Sequence, residues 1–360
     1  MNNITIDKTG WKKWRFDEVC RQVNTSSKDP VTDGLDHVIG LEHIEPGNLH
    51  ITKWDTLEKE TTFTRKFVKG QVLFGRRRAY QRKVAYAEFD GICSGDILVF
   101  EAIEKNLIPE LLPFLIQSDG FFEKALATSA GSLSPRTKFK ELADYEFLLP
   151  PKSEQKRLAE LLWAADEMIK KEKRELEKIF VIENNFIESI KIPNKNCSKC
   201  RLGDIITFNY GKALKDSERI AGEFPVIGSA GISGSHTSFS VIGPGIIVGR
   251  KGSAGNVIWC DSNFWPIDTA YWVSLNDKTV DLSYSYLLLK SLKLENLVIT
   301  TAIPGLNRDD VYEQIVSVPD RDEQNNKVIE YRKICLLRDK LNKKIESSVI
   351  LKQELINNIF

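Results

Sequence analysis

The feature that most constrains this chain is that it is written twice. Each landmark of the first half recurs, in the same order, roughly 170 to 185 residues later. FLLPPKSEQKRLAELL (Phe147 to Leu162) is answered by VSVPDRDEQNNKVIEY (Val316 to Tyr331), where an apolar strand-like run meets proline and Glu-Gln opens a helical stretch. Just upstream, ALATSAGSLSPRTKFKELADYEF is answered by VITTAIPGLNRDDVYEQIV, each with a small-residue turn, an arginine (Arg136 or Arg308) and an apolar strand. GQVLFGRRRAYQRKVAYAEFDG pairs with PGIIVGRKGSAGNVIWCDSNFW, and WRFDEV near Trp14 pairs with RLGDII near Arg201. A period this long means two tandem globular units rather than a solenoid of short repeats.

Within each copy, short β-branched or aromatic runs alternate with Gly/Ser turns, and one helical stretch precedes the closing turn. That pattern predicts mixed α/β units. The segments that follow each copy are different. From Lys152 to Leu202 there is no glycine and proline appears only at Pro193, and from Asp320 to Phe360 neither residue occurs. Apolar positions Leu158, Leu161, Ala165, Ile169, Leu176, Ile179, Phe186 and Ile190 recur at steps of three, four or seven. So do Val328, Tyr331, Ile334, Leu337, Leu341, Ile345, Val349, Ile356 and Phe360, with Lys and Glu between. Ser153 and Asp320 suit the N-caps, the latter with Glu323 in capping-box position. A helix of about 40 residues is roughly 60 Å long and outruns a small domain about 30 Å across. Its stripe is therefore expected to pack on the other copy's helix, antiparallel, with one globular unit at each end. The carboxylates of these helices read as a solvated, ion-paired face.

The architecture of globular unit, helix, globular unit, helix resembles that of the specificity subunits of Type I restriction–modification systems. The residues that carry the resemblance are LPPKSEQKRLAELL at Leu149 to Leu162, VPDRDEQ at Val318 to Gln324, GRKGSAGNV at Gly249 to Val257, TAYWV at Thr269 to Val273 and TAIPGLNRDDV at Thr301 to Val311. The second junction departs from the first, reading PDRDEQ for PPKSEQ. The expected fold is α+β: two mixed α/β target recognition domains in tandem, separated by two long helices packed as an antiparallel coiled coil. The expected division is residues 1–150 and 197–319 for the recognition domains and 151–196 and 320–360 for the helices.

The resemblance implies a subunit that reads a bipartite target on double-stranded DNA and does no chemistry. Two methyltransferase subunits, and nuclease–translocase subunits in the restricting complex, would act with S-adenosylmethionine, ATP and magnesium. No cofactor or metal is expected in this chain itself. The residues agree on several points. There is no Asn/Asp-Pro-Pro-aromatic tetrapeptide, no P-loop ending and no G-x-G-x-x-G after a strand. No apolar run long enough for a membrane span occurs. Six scattered cysteines suit reduced thiols in a cytoplasm, and the lone Cys197-x-x-Cys200 lacks a second ligand pair for zinc. A net charge of +1 argues against non-specific coating of nucleic acid and leaves room for local basic patches.

Two such patches recur in both copies. Arg76, Arg77, Arg78, Tyr80, Gln81, Arg82 and Lys83 form the densest basic, aromatic and amide cluster, and Arg250, Lys251, Ser253 and Asn256 occupy the equivalent loop. Arg can bridge guanine O6 and N7, an amide can bridge adenine N6 and N7, and Lys can neutralise phosphate. The closing turns, with Ser132, Ser134, Arg136 and Lys138 in one copy and Asn307 and Arg308 in the other, suit backbone positioning. The rival readings are a solvated loop between strands and ordinary turn chemistry. The rival function is a coiled-coil adaptor that never touches nucleic acid, which leaves the duplicated basic loops unexplained. Trp259, Trp265 and Trp272 read as core residues, and the four histidines form no recognisable metal motif.

Overall fold

The computed structural model describes residues 6–58, 61–131, 133–192, 197–298 and 305–360. Chain contacts divide them into two units, one of residues up to 173 together with 343–360, the other of 174–342.

The first unit begins with β1 (Lys12–Arg15), α1 (Phe16–Val19), β2 (Cys20–Val23), β3 (Val38–Ile39) and β4 (Arg65–Phe67). It continues with β5 (Val72–Gly75), β6 (Val84–Tyr86), β7 (Gly91–Cys93) and β8 (Ile97–Ala102), then α2 (Leu112–Gln117), α3 (Asp119–Ala127), α4 (Phe139–Leu142) and β9 (Glu146–Leu149). An antiparallel sheet in the order β2-β8-β5-β6 lies beside a three-stranded one, β3-β7-β4, and β1 pairs with β9. The central strands β5 and β8 of the larger sheet are apolar on both faces, as in ILVF of β8, because helices cover one side and the smaller sheet the other. The long helix α5 (Lys152–Ser189) starts in this unit and leaves it after residue 173.

The second unit repeats the plan with β10 (Cys197–Arg201), α6 (Leu202–Ile205), β11 (Ile206–Tyr210), β12 (Phe224–Gly228) and β13 (Gly231–His236). Then follow β14 (Gly245–Gly249), β15 (Val257–Cys260), β16 (Trp265–Pro266), β17 (Ala270–Leu275), α7 (Leu282–Ser291), α8 (Arg308–Tyr312), β18 (Ile315–Pro319) and α9 (Arg321–Ile359). Its sheets run β11-β17-β14-β15, β13-β12-β16 and β10-β18; the four-stranded sheet and the terminal pair keep the first unit's order, whereas the small sheet is centred on its earliest strand, β12, where the first unit's is centred on its latest, β7.

The Glu-Gln junction has a physical role that both copies share. Gln155 accepts from the Ile108 amide and donates to the carbonyls of Asn106 and Pro150. Gln324 accepts from the Asp281 amide and donates to the carbonyls of Thr279 and Pro319. In each copy one buried glutamine ties the long helix's first turn to the proline before it and to the loop that enters α2 or α7. Ser153 is not the N-cap of α5: it sits inside the helix, where the Pro151 carbonyl receives the amides of Glu154 and Gln155. Asp320 does cap α9, its carboxylate accepting from the Glu323 amide.

The two long helices pair antiparallel. In the first unit Asp166 meets Lys352 at 2.7 Å and Glu172 meets Lys344 at 3.1 Å, so partners on α9 run backwards as α5 advances. In the second unit Arg338 grips both Glu183 oxygens at 2.8 Å, and Phe186 stacks on Tyr331. Here the structure corrects two expectations. Asp166, Glu172 and Glu183 are buried in the seam rather than solvated, because each meets a cation from the opposite helix. Leu161, Leu337 and Val349, expected in the apolar stripe, are exposed. Leu161 and Leu162 stand three and four residues after Leu158, so either suits helical spacing; packing chooses Leu162, which is fully buried.

Candidate nucleic-acid interface

In each unit the two basic segments singled out in the sequence come together. In the first, β5 ends at Gly75 and the chain from Arg76 to Lys83 leads into β6. The Arg78 amide donates to the Pro135 carbonyl at 2.9 Å and the Thr137 amide to the Arg76 carbonyl at 3.1 Å, so the closing turn lies directly against the loop. Arg77 donates to Ser134 Oγ at 2.9 Å and to Asp96 at 3.4 Å, while Arg136 holds Asp96 with Nε at 2.7 Å and Nη2 at 3.2 Å. Hydrogen bonding from Arg136 keeps the Asp96 carboxyl below its usual range despite partial burial. Two arginines therefore share one permanent negative charge.

The rest of the cluster divides by what each side chain touches. Arg82 lies against Phe122, 4.6 Å from its ring centre, and bonds Asp119 and the Gln117 carbonyl. Lys83 donates to the Leu41 carbonyl at 2.6 Å. Both brace the fold. Arg76 is half-buried and its guanidinium is held below the usual arginine range by burial, with Arg65 nearby. Arg78 and Tyr80 are exposed and Gln81 and Lys138 reach solvent, with no side-chain hydrogen bond or ion pair among the described residues. Arg78 adopts φ +53°, a left-handed conformation that costs a non-glycine residue roughly 1 kcal/mol or more and that often marks functional loops. Ser132 lies outside the described residues.

The second unit reaches the same arrangement with different residues. The Arg250 and Lys251 amides both donate to the Thr269 carbonyl, and the Leu306 amide donates to the Arg250 carbonyl at 2.9 Å, joining the glycine-rich loop to the closing turn. A Cβ on Gly249 would meet the Ser253 carbonyl oxygen at 2.1 Å, and Gly255, at φ +84°, leaves no room against the Glu295 backbone, so the tight loop depends on glycine at both places. Arg250 donates to the Asp268 carbonyl at 2.8 Å, Asn256 to the Ser229 carbonyl at 3.1 Å, and Asn307 caps α8 through the Asp309 amide at 3.1 Å. Lys251 and Ser253 are exposed without side-chain partners among the described residues. The guanidiniums of Arg250 and Arg308 both lie over the ring of Tyr210, 4.9 Å and 5.0 Å from its centre.

Asp96 and Tyr210 were not anticipated from the residues. The signal was available in the repeat, because each sits at the end of an apolar strand where one copy carries a chemistry that the other lacks. Cys197 and Cys200 lie three apart on β10 and so point to opposite faces. Among the described residues Glu42, His43 and Asp55 are close enough to share an ion. However, His43 Nδ1 accepts from the Gly40 amide at 3.0 Å, which puts the ring proton on Nε2, the atom facing Asp55. Trp259, Trp265 and Trp272 are half-buried, and the first two donate their indole N–H to Asp261 and the Lys212 carbonyl.

Comparison with known proteins agrees with this geometry. The sequence matches the Type I restriction modification DNA specificity domain over residues 8–179 and again over 194–347. It is 25% identical over 186 residues to the Type I restriction enzyme EcoDI specificity subunit of Escherichia coli, an overlap of half this chain and 40% of that relative. The fold is similar to that of the Type I restriction–modification S subunit of M. genitalium, with a TM-score of 0.63, 16% identity and coverage of 100% and 97% of the two chains. A second structure, from work on complex assembly and conformational transition of the type I R-M system, superposes with a TM-score of 0.65, 17% identity and 97% coverage of both chains. With two domain matches spanning most of its length, this chain belongs to the Type I restriction–modification specificity family. The family model is that of a DNA specificity domain.

Proposed function

We propose that this chain reads a bipartite DNA sequence, one half with each unit, and delivers methyltransferase and nuclease–translocase subunits to it. The observation that carries the reading is the union, in both units, of a basic loop with a closing turn that lies 57 residues away between Arg77 and Ser134. That union gathers Arg76, Arg77, Arg78 and Arg136 on one unit and Arg250, Lys251 and Arg308 on the other. Arginines suit guanine edges and phosphates, and exposed Tyr80, Ser253 and Lys138 with half-buried Gln81 suit base edges and backbone. The domains are assigned as 1–150 and 197–319, and the helical regions as 151–196 and 320–360. The helices carry exposed apolar side chains, Phe180, Val181 and Ile182 on α5 and Leu336 and Leu337 on α9, which suits docking of two methyltransferase subunits. Chemistry with S-adenosylmethionine, ATP and magnesium belongs to those partners, in the cytoplasm where the DNA lies.

The test is methylation sequencing in cells that express the chain with its methyltransferase partner. Replacing Gln81 or Arg78 should change one half of the methylated motif, and replacing Arg250 or Lys251 the other, at roughly 1–3 kcal/mol for a bidentate base contact. A motif whose halves change together would defeat the assignment. Failure of the purified chain to bind duplex DNA at low salt, with or without its partner, would favour the adaptor reading instead.

A further inference from the structure

The second unit holds its two arginines over an aromatic ring where the first holds its pair on a carboxylate. Strand register makes the comparison residue by residue. Cys20 pairs with Ala102 and Ile206 with Leu275, so the end of β11 at Tyr210 corresponds to Asn24. The Arg76 amide donates to the Asp96 carbonyl as the Arg250 amide does to that of Thr269, so Asp96 corresponds to Thr269. One copy has Asn24 and Asp96; the other has Tyr210 and Thr269. The acid is absent where the ring is present.

We propose that Tyr210 is a positioning residue for DNA recognition by the second unit, its ring orienting Arg250 and Arg308 toward the duplex. This rests on the reading of the loops as a DNA interface. A ring attracts a guanidinium through its quadrupole and leaves the positive charge intact. A ring beneath a guanidinium also takes up none of its in-plane N–H groups; Arg250 spends one on the Asp268 carbonyl and Arg308 turns its Nε toward Asp309 at 3.9 Å, which leaves the remaining N–H groups of each for phosphate or guanine. A carboxylate does neither, since it cancels one charge and occupies the fork, as Asp96 does with Arg136. Tyr210 is itself held in place. It packs on Tyr271 with ring centres 5.3 Å apart, and the Tyr271 hydroxyl donates to the Leu306 carbonyl at 3.2 Å, in the turn that carries Arg308. More than half of the Tyr210 surface, 53%, remains exposed, so the platform faces solvent where DNA can reach the arginines.

The experiment uses the full chain and a pool of random-sequence duplexes, with the bound fraction sequenced and affinity measured across a salt series. Tyr210→Ala should weaken binding about tenfold and blur one half-site only, while the salt slope stays as in the wild type because both charges remain. Tyr210→Phe should restore the lost affinity and Tyr210→Leu, which keeps bulk without the ring, should not. Arg250→Ala and Arg308→Ala should each lower the slope by about one phosphate contact. Wild-type binding by Tyr210→Ala, or equal recovery by Leu and Phe, overturns the positioning role while the arginine variants still report a DNA interface. Wild-type binding by both arginine variants overturns the interface reading itself. A thermal melt of each variant separates collapse of the unit from loss of aim, and Tyr210→Leu stands in should Tyr210→Ala not fold.

Discussion

The two units share a plan and differ in how each secures its charged groups. At the loops, the first unit clamps Arg77 and Arg136 on Asp96, whereas the second lays Arg250 and Arg308 over Tyr210. At the helix seam the first unit buries Asp166 between Lys352 and His50, whose Nε2 is 2.9 Å away, and His50 Nδ1 meets Glu88 and Lys170. The second buries Glu183 under Arg338, with the Tyr331 hydroxyl donating at 3.0 Å. Duplication preserved the strand order of the four-stranded sheet and the glutamine staple, because those fix backbone hydrogen bonds. It let the charge partners diverge, because several chemistries can satisfy the same buried carboxylate or steady the same guanidinium. Where the seam needs an ion pair, either a lysine or an arginine serves; at the loops proposed to meet DNA, the choice of partner sets how much positive charge is left over.

The largest expected effect tests the seam. Lys352 and Asp166 side chains are each only 6% exposed, so Lys352→Ala removes the cation from a buried carboxylate that keeps only its His50 partner, and should cost the first unit about 3 kcal/mol. Arg338→Ala should cost the second unit less, since Arg338 is about a quarter exposed and Tyr331 still serves Glu183. Hydrogen exchange mapped along the chain would show which unit opens, and an equal or reversed ranking would break the comparison. Next comes a control for what the units have in common. Gln155→Ala and Gln324→Ala each orphan one backbone amide and two carbonyls, and each should lose about 2 kcal/mol, to the same degree in both units, by denaturant melts.

The third test converts one loop into the other. Asp96→Asn frees the first unit's arginine pair of its counter-charge and should steepen the salt dependence of DNA binding by about one contact. Thr269→Asp should flatten it by about one, and slopes that do not move in opposite directions would show that these residues do not set the charge facing DNA. The smallest effect concerns pH. The hydrogen bond that His50 Nε2 donates to Asp166 raises the His50 pKa above its ordinary value in spite of burial, with Asp166 and Glu88 adding attraction and Lys170 opposing, while Glu167 lies 3.7 Å away. A raised folded value means that the stabilisation is complete below the unfolded imidazole's range, near 6.5, and is lost as pH rises through the folded value. The first unit should therefore loosen slightly toward alkaline pH, with no counterpart from this source in the second, and His50→Gln should remove the difference in unit-resolved exchange.

Much of this could be read directly from the residues. The repeat, the two long helices and the antiparallel pairing followed from pattern alone, because a duplicated motif must fold alike twice and an amphipathic helix must hide its stripe. The capping of α9 by Asp320 was legible for the same local reason, and Ser153 misled because the proline before it already closes the first turn of α5 through its carbonyl. The candidate loops were legible as charge, but their division was not. Arg82 and Lys83 look like Arg78 in a string of letters; only the fold brings Asp119, Phe122 and the Leu41 carbonyl to the first two.

The sequence by itself determined what depends on neighbours along the chain: strand and helix periodicity, turns, and the duplication that orders them. The tertiary structure alone decided what depends on distant groups. It chose Leu162 over Leu161 for the core, turned three carboxylates from a supposed solvated face into buried ion pairs, and set Asp96 and Tyr210 beneath the arginines. The physical reason is that burial and charge pairing are properties of a place in space, and residues as far apart as Asp166 and Lys352 share one only after folding.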